Sequence, residues 1–209
     1  PASAVGGDLY DVFALNGRSV TFMIADVAGK GVPAALLAAA VQASVRGSAK
    51  PGVRPSEVCA EVNRALCGHI PSNRFVTFFY GVLDIESGLF TYANAGHNPP
   101  LVAAGGPSSR DAVLRLGCGG VMLGIDAGTR WRDQSVSILP GDALLLYTDG
   151  LTEARSEAGE EFGDERLAGA LRSRAAMPSE ILVAGLLDEV AQFGPVQEDD
   201  RTLVVAQRQ

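Results

Sequence analysis

The stretch FVTFFYGVLDIESGLFTYAN, residues 75–94, decides the fold class. Residues 75–85 are rich in β-branched and aromatic side chains, a short turn signal follows at residues 86–88, and residues 89–94 form a second strand-like run. Two such runs joined by a short turn predict a β-hairpin, and the strands of a hairpin are antiparallel. The sheet that contains this hairpin is therefore expected to be antiparallel.

Further strand-like runs lie on both sides of this hairpin. Residues 9–15 and 18–25 flank Asn16 and Gly17, a pair that is typical of a tight hairpin turn. Residues 143–147 are entirely apolar and predict a buried strand. The remaining strands are expected at residues 101–103, 112–116, 134–139 and 202–206.

Helical patterns occur in two pairs, one on each side of the long run of strands. The first pair covers residues 32–48 and 55–67, with Ser56 as the expected N-cap, and the second covers residues 164–174 and 179–193. Because strands do not alternate with helices, a doubly wound parallel sheet is disfavoured. The order predicts an α+β fold of two stacked antiparallel β-sheets flanked by helix pairs, an α-β-β-α sandwich.

The composition limits the classes of function. The chain has 209 residues, of which 47% are hydrophobic, so residues 1–209 are expected to form a single domain with one core. The net charge of -7 repels nucleic acid and anionic lipid. No apolar run has the length of a membrane span. Neither a nucleic-acid partner nor membrane insertion of this domain is therefore expected.

The cysteines and the amino terminus indicate the cellular compartment of the protein. Cys59, Cys67 and Cys118 lack CxxC spacing, as is typical of free thiols in a reducing compartment. The first residues carry no secretion signal, so a cytoplasmic location is predicted. The chain opens abruptly at Pro1, close to a candidate catalytic residue, which predicts a domain trimmed from a longer multidomain protein.

Five aspartates stand at predicted strand ends, beside glycine or a second acid. They are Asp8, Asp26, Asp149, Asp199 and Asp200. Each alone is more often a turn residue or a solvated residue. As a set they would repel one another unless a cation neutralised them, and carboxylate oxygens suit Mg²⁺ or Mn²⁺. The set therefore favours a divalent metal site.

Other chemistries fit the sequence less well. A P-loop would need a glycine at Ile24 and a serine or threonine at Gly31, so Lys30 does not belong to a phosphate cradle of that type. No G-x-S-x-G elbow is present. His69 and His97 are too few for a histidine-based zinc site, and His97 is expected to shape its loop by local hydrogen bonds.

Seven motifs, in order, cover essentially the whole chain. They are GGDLYD (residues 6–11), DVAGKGVPAALL (26–37), FVTFFYGVLD (75–84), NAGHNPP (94–100), LLLYTDGLTEAR (144–155), FGDERL (162–167) and EDDRTLVV (198–205). The ordered set resembles the metal-dependent protein phosphatases (PPM), and more closely their bacterial SpoIIE/RsbU-like branch. The resemblance implies a β-sandwich flanked by helix pairs, in agreement with the element order.

The resemblance also implies a site for two divalent metal ions, Mn²⁺ or Mg²⁺. Asp26 would bridge the two ions, and the Val27 carbonyl would hold one of them with Asp8 nearby. Asp149 and Asp199 would hold the other ion, with Asp200 as the alternative to its neighbour. A metal-activated water would attack phosphorus directly, without a phosphoenzyme.

Two features of the eukaryotic relatives are missing from this sequence. Those relatives carry a histidine where this chain has Ala28, and an upstream arginine that grips the phosphate, for which the sequence offers no candidate. The leaving-group acid is therefore unassigned, with metal-bound water as the hypothesis. Lys30 could grip the phosphate, although a solvated turn residue is the more common interpretation.

The branch implies particular partners. Its usual substrate is a phosphoserine or phosphothreonine on a small anti-sigma-factor antagonist of the STAS type, so the resemblance implies a role in sigma-factor regulation and the stress response. The domain usually follows a sensory or coiled-coil region. The helix pair over residues 32–67 is where relatives are switched and often dimerise, so the resemblance allows a homodimer.

Two alternatives to an active phosphatase stay open. One is a regulatory binding module that keeps the fold but turns over poorly alone, in view of the missing histidine and the abrupt amino terminus. The other is a nucleotide-binding or hydrolase domain, against which the failed P-loop and the missing serine elbow both count. Metal titration would distinguish the first alternative, and ATP hydrolysis would support the second.

Overall fold

The computed structural model describes residues 6–68, 70, 74–105, 112–117 and 119–209. In chain order its elements are β1 (Leu9–Ala14), β2 (Ser19–Val27), α1 (Val32–Ser48), α2 (Pro55–Leu66), β3 (Val76–Asp84), β4 (Leu89–Ala95), β5 (Leu101–Ala104), β6 (Leu114–Arg115), β7 (Gln134–Ser137), β8 (Asp142–Tyr147), α3 (Asp149–Thr152), α4 (Gly163–Arg174), α5 (Ser179–Phe193) and β9 (Leu203–Gln207). The chain divides into two compact units. The first consists of Ser3–Asn98 and Gly117–Ser137, and the second mainly of Pro99–Leu116 and Ile138–Gln209.

Each unit contains one antiparallel sheet. The sheet of the first unit has the order β1-β2-β3-β4-β7, and that of the second has the order β6-β5-β8-β9. Every strand pair in both sheets is antiparallel. The predicted α+β class with two antiparallel sheets is therefore confirmed, and the hairpin at residues 75–94 forms the β3-β4 pair near the centre of the first sheet.

The helices α1 and α2 pack on one face of the first sheet. Successive side chains of a strand point to opposite faces, so alternate residues of β2 and β3 form this face. The buried residues that join the sheet to the two helices include Met23, Ala25, Val27, Phe78, Tyr80, Val41, Val45, Val58 and Val62. This packing holds α1 against the sheet, and the first residues of the helix come directly after the turn that follows β2.

An ion pair between β1 and α1 supplements this packing. The Arg46 guanidinium donates to both oxygens of Asp11, at 2.7 and 2.6 Å, and lies 3.8 Å over the ring of Phe13. Asp11 is buried, whereas the Arg46 side chain is half exposed. This hydrogen bonding lowers the pKa of Asp11, and burial opposes the shift.

We expect Arg46→Ala to lower the free energy of unfolding by about 1–2 kcal/mol at neutral pH, because a buried carboxylate loses its charged partner. A lowered folded-state pKa stabilises the fold above the unfolded-state pKa of about 4, and this stabilisation is lost as the pH falls through the folded-state pKa. Urea denaturation across this range should therefore show the difference between wild type and variant shrinking below about pH 4.

Arg64→Ala is the matched control for this prediction, because Arg64 forms an exposed pair with Glu61 on α2. Exposed pairs contribute little, so its effect should stay below about 0.5 kcal/mol. Equal losses in the two variants, or a difference that is unchanged in acid, would contradict the role given to Asp11.

The second unit has a core of its own. All six residues of β8 are buried, because β5 and β9 pair with its two edges and helices cover one face. The residues that join this sheet to α4 and α5 include Leu101, Leu145, Tyr147, Leu167, Leu171, Leu182, Leu186 and Val190. Thr148 and Asp149 thus directly follow a buried inner strand of the sheet.

Some local expectations were wrong. Ser56 is not the N-cap of α2, because the helix begins at Pro55 with Arg54 as the N-cap. The backbone N–H and hydroxyl of Ser56 donate to Asp133 at 2.7 and 2.9 Å instead. The strand predicted at residues 112–116 is reduced to β6 in the described residues. His69 and Cys118 lie outside the described residues.

Within the described residues, no helix combines the length and the apolar character needed to cross a membrane.

Candidate metal centre and active site

Asp26 is the penultimate residue of β2, just before the turn that leads to α1. The strand register places it opposite Thr77 of β3. The Ala28 N–H donates to the Phe75 carbonyl at 3.0 Å, and Gly29 takes a φ of 108° that favours glycine. The sequence prediction that a strand delivers Asp26 to a glycine turn is therefore confirmed, although the strand continues to Val27.

Asp8 is held beside the end of β2 by a close backbone approach. Leu9 pairs with Ala25, so the register places Asp8 across from Asp26. A Cβ on Gly7 would lie 2.8 Å from the Val27 carbonyl oxygen and 3.4 Å from Asp26 Oδ1, so only glycine fits there. Asp8, Asp26 and the Val27 carbonyl, the ligands predicted for one ion, therefore belong to one neighbourhood at the end of β2 in the first unit.

The loop after β4 contacts β3 next to this group. Asn94 Oδ1 accepts the His97 N–H at 2.8 Å, and Asn94 Nδ2 donates to the His97 carbonyl at 3.0 Å. The His97 ring is 2% exposed, and its Nδ1 lies 2.9 Å from the Thr77 hydroxyl. His97 thus makes the loop-shaping contacts predicted from the sequence. Its ring also contacts Thr77, the residue opposite Asp26 in the strand register.

The second unit brings Asp149 next to the segment that precedes β9. Asp149 begins the short helix α3, and the Thr148 N–H donates to the Thr202 carbonyl at 3.0 Å. A Cβ on Gly150 would overlap the Asp200 carbonyl oxygen and lie 3.5 Å from the Asp199 carbonyl carbon. Glycine at residue 150 therefore allows the two acidic segments to lie side by side.

The neighbours Asp199 and Asp200 differ in exposure. The Asp199 side chain is exposed, and its Oδ1 accepts the Asp200 N–H at 2.9 Å. Asp200 is only 8% exposed. The two neighbouring carboxylates therefore differ in their access to solvent.

The electrostatics of the second unit show crowded negative charge. Burial raises the pKa of Glu153, and the carboxylates of Asp149, Glu161 and Asp199 raise it further. Like charges that lie this close favour the binding of a cation. Glu153 was not singled out from the sequence, because its relation to Asp199 depends on the fold.

The predicted ligands occur as separate groups within the two units. Asp8 and Asp26 lie together in the first unit, and Asp149 lies with Asp199 and Asp200 in the second. Among the described residues, no three acidic, histidine or cysteine side chains form a group that could hold a metal ion. Carboxylate and carbonyl oxygens are nevertheless the donors that Mg²⁺ and Mn²⁺ prefer, so the chemistry of the donor set fits these ions.

The family model described as Stage II sporulation protein E (SpoIIE) matches residues 16–209. The chain therefore belongs to the SpoIIE family, and the predicted resemblance is confirmed. The match includes Asp26, Asp149 and Asp199 but begins after Asp8.

Known relatives agree with this assignment. The chain is 29% identical to the phosphoserine phosphatase RsbU of Bacillus subtilis over 211 residues, which cover 100% of this chain and 61% of that protein. It is 30% identical to a solved structure of the RsbU and RsbW domains of Rv1364c from Mycobacterium tuberculosis, with a TM-score of 0.85 over 99% of this chain and 56% of that chain.

A third similarity supports the fold. The SiaA-PP2C domain of Pseudomonas aeruginosa superimposes with a TM-score of 0.85 at 24% identity, over 99% of this chain and 82% of that chain. The family model and the fold together define a SpoIIE-family domain with the fold of the PP2C domains. The chain spans 61% of the length of RsbU, so the activity, substrates and partners of a whole protein of this type are matters for proposal.

Proposed function

We propose that this domain is a metal-dependent phosphatase that removes phosphate from serine or threonine of a protein in a sigma-factor pathway. The observation that carries the proposal is the way two glycines bring the predicted ligands together. Gly7 places Asp8 against the end of β2, and Gly150 places Asp149 against residues 199–200. These close approaches would be unusual if the aspartates were ordinary turn residues.

The proposed cofactors are two divalent ions, Mn²⁺ or Mg²⁺. We propose that Asp26 binds both ions, that the Val27 carbonyl and Asp8 complete the protein ligands of one, and that Asp149 and Asp199 bind the other. Such ions acidify water and neutralise phosphoryl oxygens when bound. Asp200, which is buried, is proposed to orient Asp199 through its N–H, at 2.9 Å from Asp199 Oδ1.

The proposed substrate is a phosphorylated anti-sigma-factor antagonist of the STAS type. RsbU carries the name phosphoserine phosphatase, and the structure from Mycobacterium tuberculosis combines RsbU and RsbW domains, which supports a substrate in this class of pathway. An upstream sensory domain, a homodimer and a cytoplasmic location belong to the same proposal.

The first test is hydrolysis of p-nitrophenyl phosphate and of a phosphoserine peptide, with Mn²⁺, Mg²⁺ or EDTA in parallel. We expect turnover with metal and none in EDTA, because the carboxylates alone cannot activate water or neutralise the phosphoryl charge. Turnover that persists in EDTA would contradict the proposed mechanism.

The second candidate is a regulatory binding module with little activity in isolation. It is motivated by Ala28, which stands where the eukaryotic relatives carry a histidine. Calorimetric titration with Mn²⁺ distinguishes the two candidates. A single weak binding event without turnover would support the binding module.

A further inference from the structure

Arg74 covers the turn that follows Asp26. Its Nη1 donates to the Ala28 carbonyl oxygen at 2.6 Å. The guanidinium also lies against Gly29, where a Cβ would overlap Nη1 and lie 2.7 Å from Cζ. The half-buried guanidinium is therefore fixed one and two residues beyond Val27, whose carbonyl is a proposed metal ligand.

Among the described residues, Arg74 forms no salt bridge with a carboxylate. The arginines at positions 18, 46, 54 and 64 of the same unit each pair with a carboxylate, whereas the exposed Arg130 donates to backbone carbonyls. A guanidinium carries five N–H donors, and the described contacts of Arg74 use one of them on a neutral carbonyl. A fixed, partly buried cation with spare donors favours the binding of an anion.

The neighbouring aspartates, which belong to the proposed phosphatase site, indicate that the anion bound by Arg74 would be a phosphoryl group. Asp8 and Asp26 would repel a phosphoryl group, and a guanidinium fixed on the turn that follows Asp26 would offset that repulsion. Its planar fork can also donate two parallel hydrogen bonds to phosphate oxygens. Lys30, the residue considered for this role from the sequence, is exposed in the same turn and is a compact point charge without that fork.

We propose that Arg74 binds the phosphoryl group of the phosphoserine or phosphothreonine substrate. The inference rests on the proposed phosphatase function and adds a binding residue to it. Arg74 is too far along the chain from the motifs at residues 6–11 and 26–37 to be linked with them by sequence spacing. Its role becomes visible only when β3 pairs with β2.

A purely structural role makes a different prediction. If Arg74 only held the Ala28 carbonyl in place, its removal would disturb the turn, weaken Mg²⁺ binding and lower stability. If it binds phosphate, its removal weakens phosphate binding while Mg²⁺ affinity stays the same. The two roles are therefore separated by measuring both affinities.

The test compares wild type with Arg74→Gln and Arg74→Lys. In saturating Mg²⁺, we expect Arg74→Gln to raise the KM for a phosphoserine peptide and the calorimetric Kd for inorganic phosphate by about tenfold or more, as expected for the loss of a charge-assisted hydrogen bond. The Mg²⁺ affinity should remain at the wild-type value, and the melting temperature should fall only by the small amount expected for loss of the hydrogen bond to the Ala28 carbonyl. Arg74→Lys, which keeps the charge, should recover part of the phosphate affinity.

Arg130→Gln is the matched control, because Arg130 also donates to backbone carbonyls, those of Gly128 and Thr129, in an exposed loop of the same unit. It should leave both affinities unchanged. An unchanged phosphate Kd in Arg74→Gln, or a fall in Mg²⁺ affinity that accounts for the loss, would overturn the inference while leaving the phosphatase function intact. A wild-type protein that neither binds phosphate nor hydrolyses the peptide would overturn both.

Discussion

Asp26→Asn should reduce kcat/KM for a phosphoserine peptide by about a thousandfold or more in Mn²⁺, because the proposed ligand of both ions would contribute several kcal/mol of transition-state stabilisation. Asparagine has nearly the same shape as aspartate, so the strand and its pairing with Thr77 should be retained. What is lost is the negative charge and one of the two oxygens that are proposed to bind metal. Calorimetry should therefore show weaker Mn²⁺ binding, with a denaturation midpoint close to that of wild type.

Asp84→Asn provides the control for this change. Asp84 lies at the other end of the same strand pair, opposite Ser19, and forms an exposed ion pair with Arg18. The same chemical substitution there should leave turnover within about twofold of wild type, since surface changes of this kind have small effects. Full activity of Asp26→Asn with undiminished Mn²⁺ affinity would show that this residue is not a metal ligand.

Gly150→Ala is the second variant for which a large effect is expected. The added methyl group would overlap the Asp200 carbonyl oxygen and lie 2.9 Å from the Asp200 carbonyl carbon, so α3 and the segment before β9 would have to separate. Overpacking of this kind costs about 1–3 kcal/mol of stability. A displacement of Asp149 by about 1 Å would lower kcat/KM by about a hundredfold, even though no ligand is changed. Both quantities can be measured, by urea denaturation and by peptide hydrolysis.

Gly169→Ala makes the same substitution within α4, where an added Cβ meets no atom within 4 Å. Alanine is the better helix former, so this control should be more stable by up to about 1 kcal/mol and should keep full activity. If Gly150→Ala behaved in the same way, the close contact between α3 and residues 199–200 would not be required for function.

The elements that the sequence predicted best are those whose ends are marked by local chemistry. The bounds of α1 and α5 agree with the prediction, because Gly31 precedes the first, Pro178 precedes the second and Gly194 follows it. The prediction failed where a distant residue decides the structure. Ser56 had the sequence context of an N-cap, but Asp133 accepts its hydrogen bonds and Arg54 caps the helix.

The candidate site was predictable in its residue types and less so in its arrangement. Asp26 and Asp149 stand out in the sequence because each follows an apolar run and is adjacent to a turn. The close approaches of Gly7 and Gly150 depend on chain segments that are distant in sequence, so they could not be read from spacing. Arg74 was missed for the same reason, since only the pairing of β2 with β3 brings it to Ala28.

The position of β8 has a consequence for the dynamics of the second unit. Its amides are paired with β5 and β9 on both edges and are buried along the whole strand, so their exchange with solvent requires the unit to open as a whole. Asp149 is attached directly to this slowly exchanging strand. Asp199 lies in an exposed segment outside the strands and helices, where local opening takes little free energy. Asp149 is thus attached to a strand that opens only with the whole unit, whereas the segment that carries Asp199 is open to solvent without such a global opening.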